Sequence, residues 1–217
     1  IRKQPDKFEL IGSSSHTNEE QLLEQKAEFG VEKLALSGRK PNSSEVNYSG
    51  RGGLLEMIRN TEADIVLNGI AGADGLLPSV AALESGKDLA LANKESIVMA
   101  GNLMKDIARE HNKHIIPVDS EHSAIFQLLK NTSRQHIAEI ILTASGGAFR
   151  NTPIEELPYV TVKQALVHPT WSMGMKITID SATMANKGLE VIETHHLFDM
   201  EVGKIKVLLH PQSYVHS

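Results

Sequence analysis

The chain has 217 residues, a formal net charge of −5, 41% hydrophobic residues and no cysteine. The charge speaks against nucleic acid or a membrane surface as partner, since both select clustered Lys and Arg. Without cysteine there is neither a disulfide framework nor a thiolate metal site, so a bound metal must take oxygen or imidazole ligands. No apolar run reaches the ~20 residues of a membrane-spanning helix and no signal-peptide pattern opens the chain, so a soluble, cytoplasmic protein is expected.

Short apolar runs alternate with helical patterns through the first half. Phe8 to Ile11 reads as a strand, followed by the polar run from Gly12 to Asn18 and a helix over Glu19 to Phe29. Lys33 to Leu36 is strand-like, and a helix covers Gly52 to Asn60. Ile65-Val66-Leu67 reads as a buried strand that Gly72 to Gly75 turns into a helix over Leu77 to Glu84. Asp88 to Ala92 is the next strand, Glu95 to His111 the next helix, and Lys113 to Pro117 a short strand. This order predicts βαβ units around a parallel sheet of Rossmann type.

Beyond Asp119 the texture changes. A helix over Glu121 to Leu129, a strand over Ile137 to Thr143 and an irregular stretch to Pro158 come first. A short helix near Val162 to Leu166, a strand Ile177-Thr178-Ile179, a helix Ala182 to Phe198 and a strand Ile205 to Leu209 follow. The expected class is therefore α/β, a parallel-sheet domain over 1–119 joined to an α+β domain over 120–217. Arg2 to Asp6 reads as the exit of a helix and Ile205 to Leu209 as a core strand, so an internal piece of a longer protein is expected.

Five segments carry possible chemistry. In Asp119-Ser120-Glu121, two carboxylates two residues apart point the same way on extended backbone and suit Mg²⁺ or Mn²⁺. The same run also reads as a helix cap, and the two readings stay open at this stage. Asn93-Lys94-Glu95-Ser96 lies where a strand passes into a helix, a position where Lys94 meets phosphate or alkoxide; a simple Asn93 cap with solvated Lys94 and Glu95 is the alternative. Ser145-Gly146-Gly147 follows a strand and suits an anion-holding turn, although ordinary turns look alike. His168 to Lys176 holds the single tryptophan, Trp171, with Met173 and Gly174 in a polar segment, as in a lid. Finally, Ser181, Asn186, Lys187 and Glu190 form a dense polar cluster, with Asn186 and Glu190 one helical turn apart. A solvated helix face is its alternative. Gly188 within it costs about 1 kcal/mol relative to Ala, which suggests close backbone packing or a ligand.

Leu91 to Ser96, Pro117 to Gln127, Leu142 to Arg150, His168 to Glu193 and His210 to Ser217 together resemble the 1-deoxy-D-xylulose-5-phosphate reductoisomerase family, in the same order. The resemblance implies an NADPH- and Mg²⁺- or Mn²⁺-dependent oxidoreductase of the non-mevalonate isoprenoid pathway, homodimeric, and cytoplasmic or plastidial according to the organism. It implies a phosphosugar substrate and no nucleic-acid or membrane partner. Asp119, Glu121 and Glu190 are similar to the family's metal ligands, Lys94 to its active-site lysine and Ser120 to a substrate-binding serine. Ser145, Ser181, Asn186 and Lys187 resemble its phosphate pocket, with His168 beside it. Trp171 and Met173 resemble its closing loop, and Asn18, Asn93, Glu95 and Gly174 its cofactor-side positions.

The sequence also departs from that family. Its glycine-rich phosphate loop is expected before Ile1 and its helical C-terminal domain after Ser217. His16 and Thr17 stand where many members carry a Gly-Lys or Gly-Ser turn, while Asn18 keeps its place near the adenosine 2′-phosphate. Two rivals remain at this stage: a different Rossmann-type dehydrogenase, and a non-catalytic nucleotide-sensing or dimerisation module.

Overall fold

The structure is a computed structural model and describes all 217 residues, Ile1–Ser217. Its first part comprises β1 (Gly12–Ser15), α1 (Glu19–Phe29), β2 (Lys33–Leu36), β3 (Tyr48–Ser49) and α2 (Gly50–Asn60). The three strands are parallel in the order β1-β2-β3. β1 lies C-terminal to the expected Phe8 to Ile11 strand. The ladder, which pairs Gly12 with Lys33 and Ser15 with Leu36, is built from backbone groups and needs no apolar side chains in β1. The burial comes instead from Leu22, Leu34, Leu36 and Val46, and Leu10 merely packs against that cluster.

A second parallel sheet has the order β4-β5-β6, from β4 (Ile65–Asn68), β5 (Asp88–Leu91) and β6 (Ile115–Pro117). α3 (Leu76–Glu84) and α4 (Lys94–Glu110) connect its strands. Central β5 buries Leu89 and Leu91 completely, among Leu83, Ile97 and Met104 of the two helices. Each such side chain contributes about 1.5–3 kcal/mol of transfer free energy. The expectation of a buried Ile65-Val66-Leu67 strand is corrected: β4 is an edge, with Ile65 45% and Leu67 68% exposed. An apolar run by itself does not distinguish edge from centre.

The remaining elements are α5 (Ser120–Leu129), β7 (Ile140–Ala144), α6 (Val162–Ala165), α7 (Met175–Ala182), α8 (Ala185–Phe198) and β8 (Ile205–Leu209). β7 and β8 pair in parallel, and Ile140, Leu142 and Ile205 form a small core with Ile125 of α5. The expected strand Ile177 to Ile179 is helical, part of α7. β-branching favours strands only weakly. Here the Thr178 hydroxyl donates back to the Gly174 carbonyl at 2.8 Å, and Lys176 pairs with Asp180 one turn on at 2.6 Å. The last long helix starts at Ala185 rather than Ala182, because Met184 adopts a left-handed backbone (φ +69°) and redirects the chain between α7 and α8.

α8 packs alongside α4. Gly101 permits this approach: a Cβ there would lie 2.4 Å from the His196 ring. Backbone therefore meets side chain directly, and the N-terminal ends of both helices are drawn to the same place.

Candidate active site

β5 and β6 are neighbours, with Leu91 opposite Pro117, and the chain leaves both at the same sheet edge. Lys94 and Asp119 follow within three residues, so the fold brings them together: Lys94 Nζ lies 2.6 Å from Asp119 Oδ2. α8 adds Glu190, whose Oε1 is 2.9 Å from the same ammonium. On its other side Glu190 pairs with Lys187, one turn earlier on α8, and Lys187 Nζ reaches Glu121 Oε1 of α5 at 3.2 Å. Asn186 donates from Nδ2 to Glu190 Oε1 at 2.6 Å. The Ser120 hydroxyl donates to Glu121 Oε2 at 2.6 Å.

This geometry separates the alternatives open in the sequence. Asp119 occupies the N-cap position of α5, yet its side chain makes no capping hydrogen bond and is spent on Lys94. Lys94, Lys187 and Glu190 are buried, so neither the first turn of α4 nor the start of α8 is a solvated face. Asn93 does cap α4, accepting from the Ser96 amide at 3.0 Å, and the functional and capping readings hold there together. Gly188 meets no neighbour on its Cβ side, so of its two readings, close backbone packing or a ligand, the packing is absent.

Asp119, Glu121 and Glu190 each offer an oxygen within 4.8 Å of the others. Three carboxylates face two ammonium groups across that space, a hard, oxygen-only donor set with excess negative charge that fits Mg²⁺ or Mn²⁺. Burial works against the Lys94 charge, but Glu190 and Asp119 outweigh it and hold the ammonium above its ordinary pKa. Burial likewise opposes the Asp119 charge, and is outweighed by His122 and Lys94, which keep the carboxyl well below the usual range.

The turn Ser145-Gly146-Gly147 leaves β7 and runs against the end of α7. A Cβ on Gly147 would fall 1.7 Å from the Ser181 carbonyl oxygen, so only glycine lets these two segments touch. Ser145 and Ser181, both half-buried, are thereby drawn into one region. His168 Nδ1 accepts from the amides of Thr170 and Trp171, at 3.1 and 2.9 Å, and so pins the start of the loop. Burial and Arg150 hold the His168 pKa below its ordinary value, consistent with a neutral ring accepting at Nδ1. Trp171 is 45% exposed and Met173 is half-buried.

Glu95 pairs with Lys176 at 2.6 Å, linking the start of α4 to that of α7, which Gly174 precedes as an exposed N-cap. Asn18 caps α1, accepting from the Gln21 amide at 3.1 Å, far from this cluster in the chain but at the corresponding end of its own sheet. His122 and Glu193, fully buried behind Asp119 and Glu190, were not singled out from the sequence. The signal was present in two spacings of three, Asp119/His122 and Glu190/Glu193, each placing both side chains on one helix face.

Parallel strands alternating with helices, and a buried acidic, lysine-paired cluster beyond the strand ends, define an α/β protein of the class whose members bind ligands at the carboxyl edge of the sheet. Within that class the chain belongs to the 1-deoxy-D-xylulose 5-phosphate reductoisomerase family: that family's model matches residues 1–101, and the model of its C-terminal domain matches residues 115–198. It is 45% identical to the 1-deoxy-D-xylulose 5-phosphate reductoisomerase of Rippkaea orientalis and 49% identical to that of Pelodictyon phaeoclathratiforme. Both alignments cover 100% of this chain, with 57% and 59% of those relatives. Among solved structures, a DOX-P reductoisomerase in complex with NADPH, fosmidomycin and magnesium matches with a TM-score of 0.89 at 38% identity. The Zymomonas mobilis enzyme in complex with NADPH matches with a TM-score of 0.87 at 39% identity. Each match covers all of this chain and 58% of the solved one. The chain thus spans under two thirds of the length of these relatives.

Proposed function

We propose that the protein carrying this chain catalyses the NADPH- and divalent-metal-dependent rearrangement and reduction of 1-deoxy-D-xylulose 5-phosphate to 2-C-methyl-D-erythritol 4-phosphate, within the non-mevalonate isoprenoid pathway. One observation carries the reading: Asp119, Glu121 and Glu190 converge on Lys94 and Lys187 at the carboxyl edge of the parallel sheet. Family membership supports it, as do the NADPH and magnesium bound in a solved relative.

Residues 1–119 form the NADPH domain and 120–217 the catalytic domain. Asp119, Glu121 and Glu190 hold Mg²⁺ or Mn²⁺, which when bound polarises the substrate carbonyl and stabilises developing oxyanion charge. Lys94 keeps its proton and presents a fixed positive charge to the substrate hydroxyls, while Ser120 orients the carbon skeleton. Lys187, Asn186, Ser181 and Ser145 bind the phosphate. His168 serves it with Nε2, since Nδ1 is engaged by the loop amides. Trp171 and Met173 close over the substrate and exclude water, protecting the aldehyde that NADPH reduces. Asn18, Asn93, Glu95 and Gly174 lie on the cofactor side. Hydride chemistry belongs to NADPH; the protein contributes position and charge. The working unit is a cytoplasmic or plastidial homodimer.

The deciding experiment measures NADPH oxidation by the full-length protein with 1-deoxyxylulose 5-phosphate and Mn²⁺, beside Glu121→Gln. The native protein turns over and the variant loses at least on the order of 10²-fold in kcat/KM, more than an outer ligand partner typically costs. Undiminished activity in the variant sinks the metal assignment. A metal-independent dehydrogenase or a nucleotide sensor gives no Mn²⁺-dependent turnover at all.

A further inference from the structure

Behind the acidic cluster lies a second layer of buried polar side chains that the proposed chemistry does not use. Glu193 and His122 are both fully buried. They occupy matching places: His122 is one turn beyond Asp119 on α5, and Glu193 one turn beyond Glu190 on α8. The imidazole bridges the two helices. Its Nε2 lies 2.9 Å from Thr194 Oγ1 and 3.1 Å from the Glu190 carbonyl oxygen. The Thr194 hydroxyl already donates to that carbonyl at 2.8 Å, so both groups accept from His122 and Nε2 carries the proton. The opposite edge, Nδ1, faces Glu193 Oε2 at 3.4 Å and Asp119 Oδ1 at 3.7 Å. Phe198 stacks on the ring at 6.3 Å with planes 8° apart, which fixes its tilt.

His122 Nδ1 and Glu193 Oε2 are buried without a hydrogen-bond partner. Polar groups enclosed this deeply and paired this loosely, at 3.4 Å, cost free energy that an apolar residue of similar size would avoid. The place of Glu193 behind a ligand carboxylate gives the burial a use. Metal-binding carboxylates and imidazoles are characteristically oriented by such outer partners.

Resting on the metal reading above, we propose that Glu193 is a positioning residue: through the His122 imidazole it sets the orientation of Asp119 and locks α5 against α8, so that Asp119 and Glu121 on one helix stay in register with Glu190 on the other. Glu193 touches neither substrate nor cofactor. Its effect is to preorganise the three-carboxylate set for a divalent cation. A side chain that only filled space would leave cation affinity untouched once the fold was intact.

The test is Mn²⁺ binding to the full-length protein, followed by electron paramagnetic resonance, for native protein, Glu193→Ala and Glu193→Gln. NADPH affinity and thermal unfolding of each are measured in parallel. Glu193→Ala is expected to weaken Mn²⁺ binding about 10–100-fold, with NADPH affinity unchanged. Its KM for metal rises by the same factor, and saturating Mn²⁺ restores kcat. Glu193→Gln keeps the shape and an acceptor oxygen, and recovers most of the loss. Should the Ala variant fail to fold, a Gln variant binding Mn²⁺ as loosely as an Asp119→Asn control overturns the proposal, because the retained acceptor then does nothing. Unchanged Mn²⁺ affinity in a folded Glu193→Ala also overturns it while the metal reading stands. Native protein that binds no Mn²⁺ overturns both.

Discussion

Lys94 and Glu190 lie 96 residues apart in the chain and 2.9 Å apart in space. One opens α4 beyond β5 and the other sits in the first half of α8, so their contact ties the parallel sheet to the segment that follows it. Both are buried, where an ion pair gains Coulomb energy but loses hydration, and where removing one partner strands the other.

Lys94→Met should therefore reveal what the cation balances. Without added metal, the variant leaves Asp119 and Glu190 short of their shared counter-charge and loses about 3–5 kcal/mol of stability. Mn²⁺ supplies charge at the same carboxylates, so saturating metal returns part of that loss, whereas chelation of native protein changes its melting far less. Thermal unfolding of both proteins with Mn²⁺ and with a chelator checks this. An equal loss in the two conditions would show that the cation and the lysine do not share ligands.

Gly147→Ala addresses the turn after β7. The new methyl would stand 1.7 Å from the Ser181 carbonyl oxygen, a backbone atom that can move only with the end of α7. Overpacking of this kind costs about 1–3 kcal/mol. The displacement also separates Ser145 from Ser181, so the expected kinetic signature is a raised KM for the phosphosugar with a smaller change in kcat. A variant that loses stability but keeps KM would remove this turn from the phosphate site.

Far from the site, Glu19 organises the chain that follows β2. Its carboxylate accepts from the Ser43 amide at 2.7 Å and the Asn42 amide at 2.8 Å, and pairs with Arg39 at 2.9 Å. The Ser43 amide is the largest influence; burial opposes it, and Arg39 and Asn42 add to it, so the folded pKa lies below the ordinary value of 4.5. A depressed carboxylate stabilises the fold above its unfolded pKa and loses that contribution as pH falls toward the folded value. The melting-temperature gap between native protein and Glu19→Gln should be largest near neutrality and shrink below about pH 4.5. A gap that widens on acidification would contradict the assignment.

The sequence made the alternation of strands and helices legible because periodicity and glycine punctuation are local. α1, β2 and β8 begin and end where the pattern placed them. β1 and α7 were misread because their states are set by partners. Serines join a ladder when the neighbouring strand offers its backbone, and Ile177 to Ile179 coil when Thr178 and Lys176 find partners one turn away. The residues that converge at the pocket were legible as separate polar clusters, each with an ordinary alternative. Their burial was not, since it depends on Gly101 admitting α8 to α4. His122 and Glu193 were hidden for the same reason: a lone imidazole and a helical glutamate look like surface until two helices enclose them.

Lys187 and Lys94 hold the three acidic side chains in a neutralising embrace, which has a bearing on the order of events in the life of the chain. In small zinc domains the ion is a component of the fold and arrives with it. Here internal cations already offset the repulsion among Asp119, Glu121 and Glu190, so under the proposed metal assignment the fold is expected to form before the ion binds. On the proposed assignment, a divalent cation joins a cluster whose lysines stay charged and in place, and adds to an order already built.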